Sequence, residues 1–310
     1  MLSASRHPAD SQQRRYTAGT VQIAVITFEF DPLVALPGDL VVRWQTIALA
    51  AVILASLVVV ALLAGRRGLR ADDLLSIAVG VVPGAIIGGR LGYLLVRPEA
   101  FTAGPLALVD PGVPGLELGL GVVGGIISGA YVASLLGAPL GRWAHVLALP
   151  LLVAIGAGKL ALILGGTGQG LPFDGQWATA FLGPGPWGSL APALPSHPSQ
   201  AYEGIGTLVA ALVLGIVVWL GAFGRADGRL LAIAVAAWAF VRAATSLTWR
   251  DLPGPAGLPV AGWLSLAIGV GALVVAIGAT VALRRRPSGQ VAGATEDGPS
   301  WPDPEARPRF

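Results

Sequence analysis

Seven apolar runs, each close to the ~20 residues that a helix needs to cross ~30 Å of hydrocarbon, alternate with short polar or Gly/Pro-rich breaks. They cover residues 42–64, 74–96, 118–136, 144–164, 201–220, 230–247 and 261–283. The pattern predicts an all-α polytopic membrane protein of seven transmembrane helices. Three domains follow: a polar amino-terminal segment (1–38), a seven-helix membrane unit (39–286) and a disordered, Pro-rich tail (287–310). Residues 1–16 lack the apolar core of a signal peptide. Within the first segment, VQIAVITFEF ahead of Pro32 and Pro37 reads as a short strand or an interfacial stretch.

Composition agrees with the pattern. Of the 310 residues 54% are hydrophobic and 12% charged, and mean hydropathy is +0.73; soluble domains carry roughly 25% charged residues. Glycine is abundant at 44 residues, as suits close helix packing in a membrane. There is no Cys, so the chain has no disulfide, thiolate nucleophile or Cys-ligated metal of its own. With three His as well, no metal site is visible and no cofactor is expected. A net charge of +3 and arginines placed at helix ends argue against a nucleic-acid surface.

Charge also predicts orientation. Arg66, Arg67 and Arg70, then Arg142, then Arg225 and Arg229, then Arg284–Arg286 fall in alternate connections, which the positive-inside rule puts in the cytoplasm. The amino terminus is then outside and the carboxyl terminus cytoplasmic, with the loops 97–117 and 167–198 on the outer face. Arg6, Arg14 and Arg15 oppose this assignment, but they lie well before the first span.

Ionisable residues inside spans are costly and mark function. Arg90, Lys159, Glu203 and Arg242 are such residues, and three cations with one carboxylate suit a pocket for an anionic lipid head group. The alternative is that the cations snorkel to an interface or pair with Glu203. His145 reads as interfacial. His197 stands with Ser199, Gln200, Tyr202 and Glu203 at the mouth of the fifth span, a cluster that also reads as an elaborate helix cap.

The segment HPSQ-x-YE (197–203) resembles the most recognisable block of the prolipoprotein diacylglyceryl transferase family. GGRLGYLL (88–95), FEFDPLVALPGDLVVRWQ (28–45), GLGVVGGIISG (119–129) and GAGKLALILGGTGQG (156–170) resemble further blocks. The sequence departs from the family pattern at Gln45 (Tyr there), Val123 (His), Lys159 (Arg), Leu162 and Gly165 (Asn), Thr167 (Glu) and Ser246 (Glu).

The resemblance implies transfer of a diacylglyceryl group from phosphatidylglycerol to the lipobox cysteine of a prolipoprotein signal peptide, in a bacterial cell membrane. It implies Arg90, Lys159 and Arg242 as phosphate-binding residues, and His197, Glu203 and Arg242 as catalytic ones. Ser199, Gln200 and Tyr202 support them. Two other classes stay open: a relative that binds anionic lipid or signal peptide without turnover, and a small-solute transporter, for which an internal repeat would speak and none is visible.

Overall fold

A computed structural model describes residues 25–101 and 115–285. The expected amino-terminal segment up to residue 24, the middle of the loop 97–117 and the tail 287–310 lie outside the described residues. Strands β1 (Ile26–Phe28), β2 (Leu33–Leu36) and β3 (Leu40–Arg43) precede helices α1 (Trp44–Arg66), α2 (Ala71–Val96), α3 (Leu118–Leu135) and α4 (Leu140–Ala161). Strand β4 (Thr179–Phe181) lies in the loop before α5 (Ser199–Trp219), which is followed by α6 (Arg229–Thr245) and α7 (Val260–Arg285). Among the described residues seven helices are long and apolar enough to cross a membrane. The chain is therefore a mostly helical, multi-pass membrane protein of the all-α class, with four short strands outside the spans.

Two expectations shift in detail. Val42 and Arg43 belong to β3, because the sequence LVALPGDLVVR folds as a hairpin, with Leu33 opposite Arg43 and Leu36 opposite Leu40. Its turn puts Gly38 and Asp39 at φ +83° and +59°, the positive-φ geometry that Gly and Asp accept most readily. The second span starts at Ala71, so Asp72 and Asp73 lie in its first turn, where acidic side chains complement the helix dipole.

Glycine sets the helix packing. On α2, a Cβ at Gly84 would collide with the Gly124 carbonyl and one at Gly88 with the Leu120 carbonyl, so α2 and α3 meet backbone to backbone. A second close crossing joins α4 to α5: a Cβ on Gly156 would lie 3.0 Å from the Gly204 carbonyl, and one on Gly204 2.9 Å from that of Gly156. Van der Waals contact of this kind holds helices together where lipid removes the hydrophobic drive.

The connections 167–198 and 246–259 and the amino-terminal strands gather at one end as a cap. Strand β1 pairs in parallel with β4, and Trp44 N–H donates to the Pro32 carbonyl at 3.0 Å. Arg97 reaches Asp251 at 2.7 Å, tying the end of α2 to the α6–α7 connection. Arg250 donates to the Gly170 carbonyl and to Ser196 Oγ, at 2.9 Å for the latter, which fastens the α4–α5 loop. At the opposite end lie Arg66, Arg67, Arg142, Arg225 and Arg229.

The α2–α3 contact gives a direct expectation. Gly88→Ala costs about 1–3 kcal/mol of stability through overpacking, read as a lower unfolding midpoint in detergent. Gly271→Ala, where a Cβ meets nothing within 4 Å, causes no such loss.

Candidate functional site

The Gly156–Gly204 crossing brings Lys159, one turn further along α4, against Glu203, the neighbour of Gly204. Lys159 Nζ lies 2.8 Å from Glu203 Oε2. Arg242, in the last turn of α6, donates from one terminal guanidinium nitrogen to both Glu203 oxygens, at 3.1 and 3.2 Å. Its other terminal nitrogen donates to Glu117 Oε1 at 2.9 Å. Glu117 is the N-cap of α3, and its carboxylate also accepts from the backbone N–H groups of Gly119 and Leu120 at 2.8 and 2.7 Å. Both cations sit at helix carboxyl ends and Glu117 at an amino end, where each complements the helix dipole.

Glu203 is 1%, Arg242 5% and Glu117 6% exposed. Pairing of these charges is what makes their burial tolerable: an ion out of water costs several kcal/mol unless a partner and hydrogen bonds compensate. Trp249 supports the cluster, with the Arg242 guanidinium carbon 4.6 Å and Lys159 Nζ 5.8 Å from its ring centre.

A cavity of about 270 Å³ opens beside this cluster. Lys159, Glu203 and Arg242 line it, with Gln169, Gln200, Trp249, Arg250 and Asp251 among the other walls. Arg242 Nε is buried without a partner in the structure.

The expected residues are brought together only in part. Lys159, Glu203, Arg242 and Gln200 share the cavity. Arg90 does not line it; it is half-buried on α2, on the stretch where Gly89 and Gly92 pack against Leu116 and Glu117. The expected three cations with one carboxylate are here two cations with two carboxylates. Ser199 is buried and structural in its contacts, its hydroxyl 2.7 Å from Thr248 Oγ1 and donating to the Thr248 carbonyl at 3.1 Å.

His197 and Tyr202 build a separate latch at the loop boundary, and neither lines the cavity. The His197 ring stacks on Phe173 at 4.0 Å between centres, and Nδ1 lies 3.2 Å from Tyr202 Oη. Trp177 Nε1 donates to that same oxygen at 2.7 Å. Trp177 and His197 thus meet on one phenolic oxygen, which ties the α4–α5 loop to the start of α5. Burial holds the His197 pKa below its ordinary 6.5.

Sequence reasoning missed Glu117, Trp249, Gln169 and Arg250. A carboxylate directly before an apolar run is a helix-start signal, which was available for Glu117. Its ion pair with a residue 125 positions away was not.

A family model described as prolipoprotein diacylglyceryl transferase matches residues 32–278. Relatives named phosphatidylglycerol–prolipoprotein diacylglyceryl transferase include one from Solidesulfovibrio magneticus, 29% identical over 84% of this chain and 96% of its own. One from Agrobacterium fabrum is 25% identical over 87% and 97%. One from Geobacter sulfurreducens is 32% identical over 56% of this chain and 66% of its own.

Two outcomes follow from the site. Glu203→Leu leaves two buried cations short of a partner and costs about 3–5 kcal/mol, read in a detergent unfolding titration; adding Lys159→Met recovers part of the loss. For His197, the folded state binds its proton less readily than the unfolded chain does. Stability from the neutral ring is present above ~6.5 and is lost as pH falls through the lowered folded value. Trp177 fluorescence shifts over that acid range in the wild type, and stays flat in His197→Phe.

Proposed function

The chain belongs to the prolipoprotein diacylglyceryl transferase family, and on that premise we propose that it moves the diacylglyceryl group of phosphatidylglycerol onto the lipobox cysteine of a prolipoprotein, in a bacterial plasma membrane. The observation that carries this reading is the buried Lys159–Glu203–Arg242–Glu117 cluster at the wall of a polar cavity, under the loop cap.

In the reaction, the thiolate sulfur attacks the glyceryl carbon that carries the phosphate ester. A carbon–sulfur bond forms, the carbon–oxygen bond breaks, and glycerol phosphate leaves with the electron pair. Charge grows on the phosphate as it departs. Lys159 Nζ and the unpartnered Arg242 Nε are the donors suited to take it, and fixed donors in a low-dielectric site favour such a leaving group over its bound ground state. Glu203 and Glu117 then act as holders. They fix the two cations before the lipid arrives, so little reorganisation is needed during the step. Because Glu203 uses both oxygens on Lys159 and Arg242, its role is positioning rather than proton abstraction.

The thiol proton must also leave. His197 is the residue that the family resemblance offers as its acceptor, although it stands outside the cavity wall. A second reading, lipid or signal-peptide binding without turnover, is favoured by that same observation: His197 does not line the cavity, and Val123 occupies the family's histidine position.

The two readings separate in one experiment. With labelled phosphatidylglycerol and a lipobox peptide, the wild type forms labelled thioether, and Arg242→Ala lowers the rate about 100-fold or more. Lipid binding without thioether supports the second reading; unchanged transfer in Arg242→Ala removes this site from the reaction. Orientation is tested separately. The chain has no Cys, so Leu190→Cys, at a position 95% exposed in the cap, is labelled by a membrane-impermeant maleimide from the outer side if the amino terminus is outside.

A further inference from the structure

Two glutamines line the same cavity, and the fold treats them oppositely. Gln169 is saturated. Its Nε2 donates to the carbonyls of Thr179 and Leu194 at 2.9 and 3.0 Å, and its Oε1 accepts from Ser189 Oγ at 2.5 Å and from Arg250 at 3.3 Å. It holds the α4–α5 loop in place. Gln200, in the first turn of α5, is 3% exposed, yet neither its Nε2 nor its Oε1 has a hydrogen-bond partner in the structure. Its neighbours do not compete for it. Ser199 is bonded to Thr248, and the Glu203 oxygens are held by Lys159 and Arg242.

A buried polar group left unpaired costs about 1–3 kcal/mol, and a primary amide carries two such groups. Buried polar atoms are paired in the great majority of cases, so an exception in a cavity wall marks a ligand position. The carboxamide offers a donor and an acceptor side by side. Its complement is a group that both accepts and donates at one atom, which is an alcohol hydroxyl. An ammonium only donates and a trimethylammonium does neither; both would also face the positive Lys159 and Arg242.

We infer that Gln200 is a specificity-determining residue, which binds the hydroxyls of a polyol head group while Lys159 and Arg242 hold the adjoining phosphodiester. The inference rests on the lipid reading of this cavity and names the head-group chemistry that the site selects. A site built to bond a hydroxyl rejects an analogue lacking it, because its own polar atoms are then left unpaired.

The test separates hydroxyl recognition from charge recognition. Binding to the purified full chain is measured for phosphatidylglycerol and for phosphatidylpropanol with matched acyl chains. Both carry one negative charge, and only the first has head-group hydroxyls. The wild type prefers phosphatidylglycerol by roughly tenfold. Gln200→Met brings the ratio close to one while leaving phosphatidylpropanol affinity within about twofold, which a merely structural role would not do. Gln200→Asn, with its amide drawn back by one methylene, falls between. A wild type without preference overturns the inference, as does a preference kept in full by Gln200→Met or Gln200→Asn, or an equal loss of both lipids in the variants. Selective binding without thioether formation would sink the transferase reading alone. Equal transfer from both lipids would sink the head-group inference alone.

Discussion

Two cations buried at the ends of separate helices cannot persist in this fold without carboxylates, and the carboxylates come from two other helices. Lys159 and Arg242 share Glu203, and Arg242 also holds Glu117. Charges this far from water gain strength from the low dielectric and carry a large penalty when a partner is missing. The cluster therefore fixes how α3, α4, α5 and α6 meet. The glycine crossings make that meeting possible, since any side chain at Gly156 or Gly204 would push Lys159 away from Glu203.

The helices were legible in the sequence because a membrane enforces length and apolarity on every span. All seven appear close to their expected places, with ends displaced by a few residues. Boundaries failed where local chemistry overrode hydropathy: LVALPGDLVVR is apolar enough to continue a span, but its Pro-Gly-Asp centre turns it into a hairpin. The pairing of β1 with β4 joins residues about 150 positions apart and left no local trace.

The candidate site was legible in its residue types and not in its pairings. Lys159, Glu203 and Arg242 stood out as charges within apolar runs. Glu117 did not, because it precedes its run, and Arg90 was grouped with the others though it does not line their cavity. Positions where the chain departs from the family pattern also find each other. Thr167 Oγ1 donates to Gln45 Oε1 at 2.8 Å, and a Cβ at Gly165 would collide with that same side chain. Arg242 also has a carboxylate partner in Glu117 from α3, while the Ser246 hydroxyl, four residues after it, donates to the Ala243 carbonyl at 2.7 Å.

On the proposed reading, a lipid phosphate comes to rest on the cations at this helix junction. Solid-state NMR on protein with nitrogen-15-labelled arginine side chains, reconstituted in phosphatidylglycerol, measures the phosphorus-to-nitrogen coupling directly. A phosphate oxygen bonded to a guanidinium puts phosphorus roughly 4 Å from the nitrogen. A coupling of that range is expected in the wild type and is lost in Arg242→Lys. A wild-type spectrum without it, or a coupling that survives in Arg242→Lys, would mean that no lipid phosphate rests on Arg242.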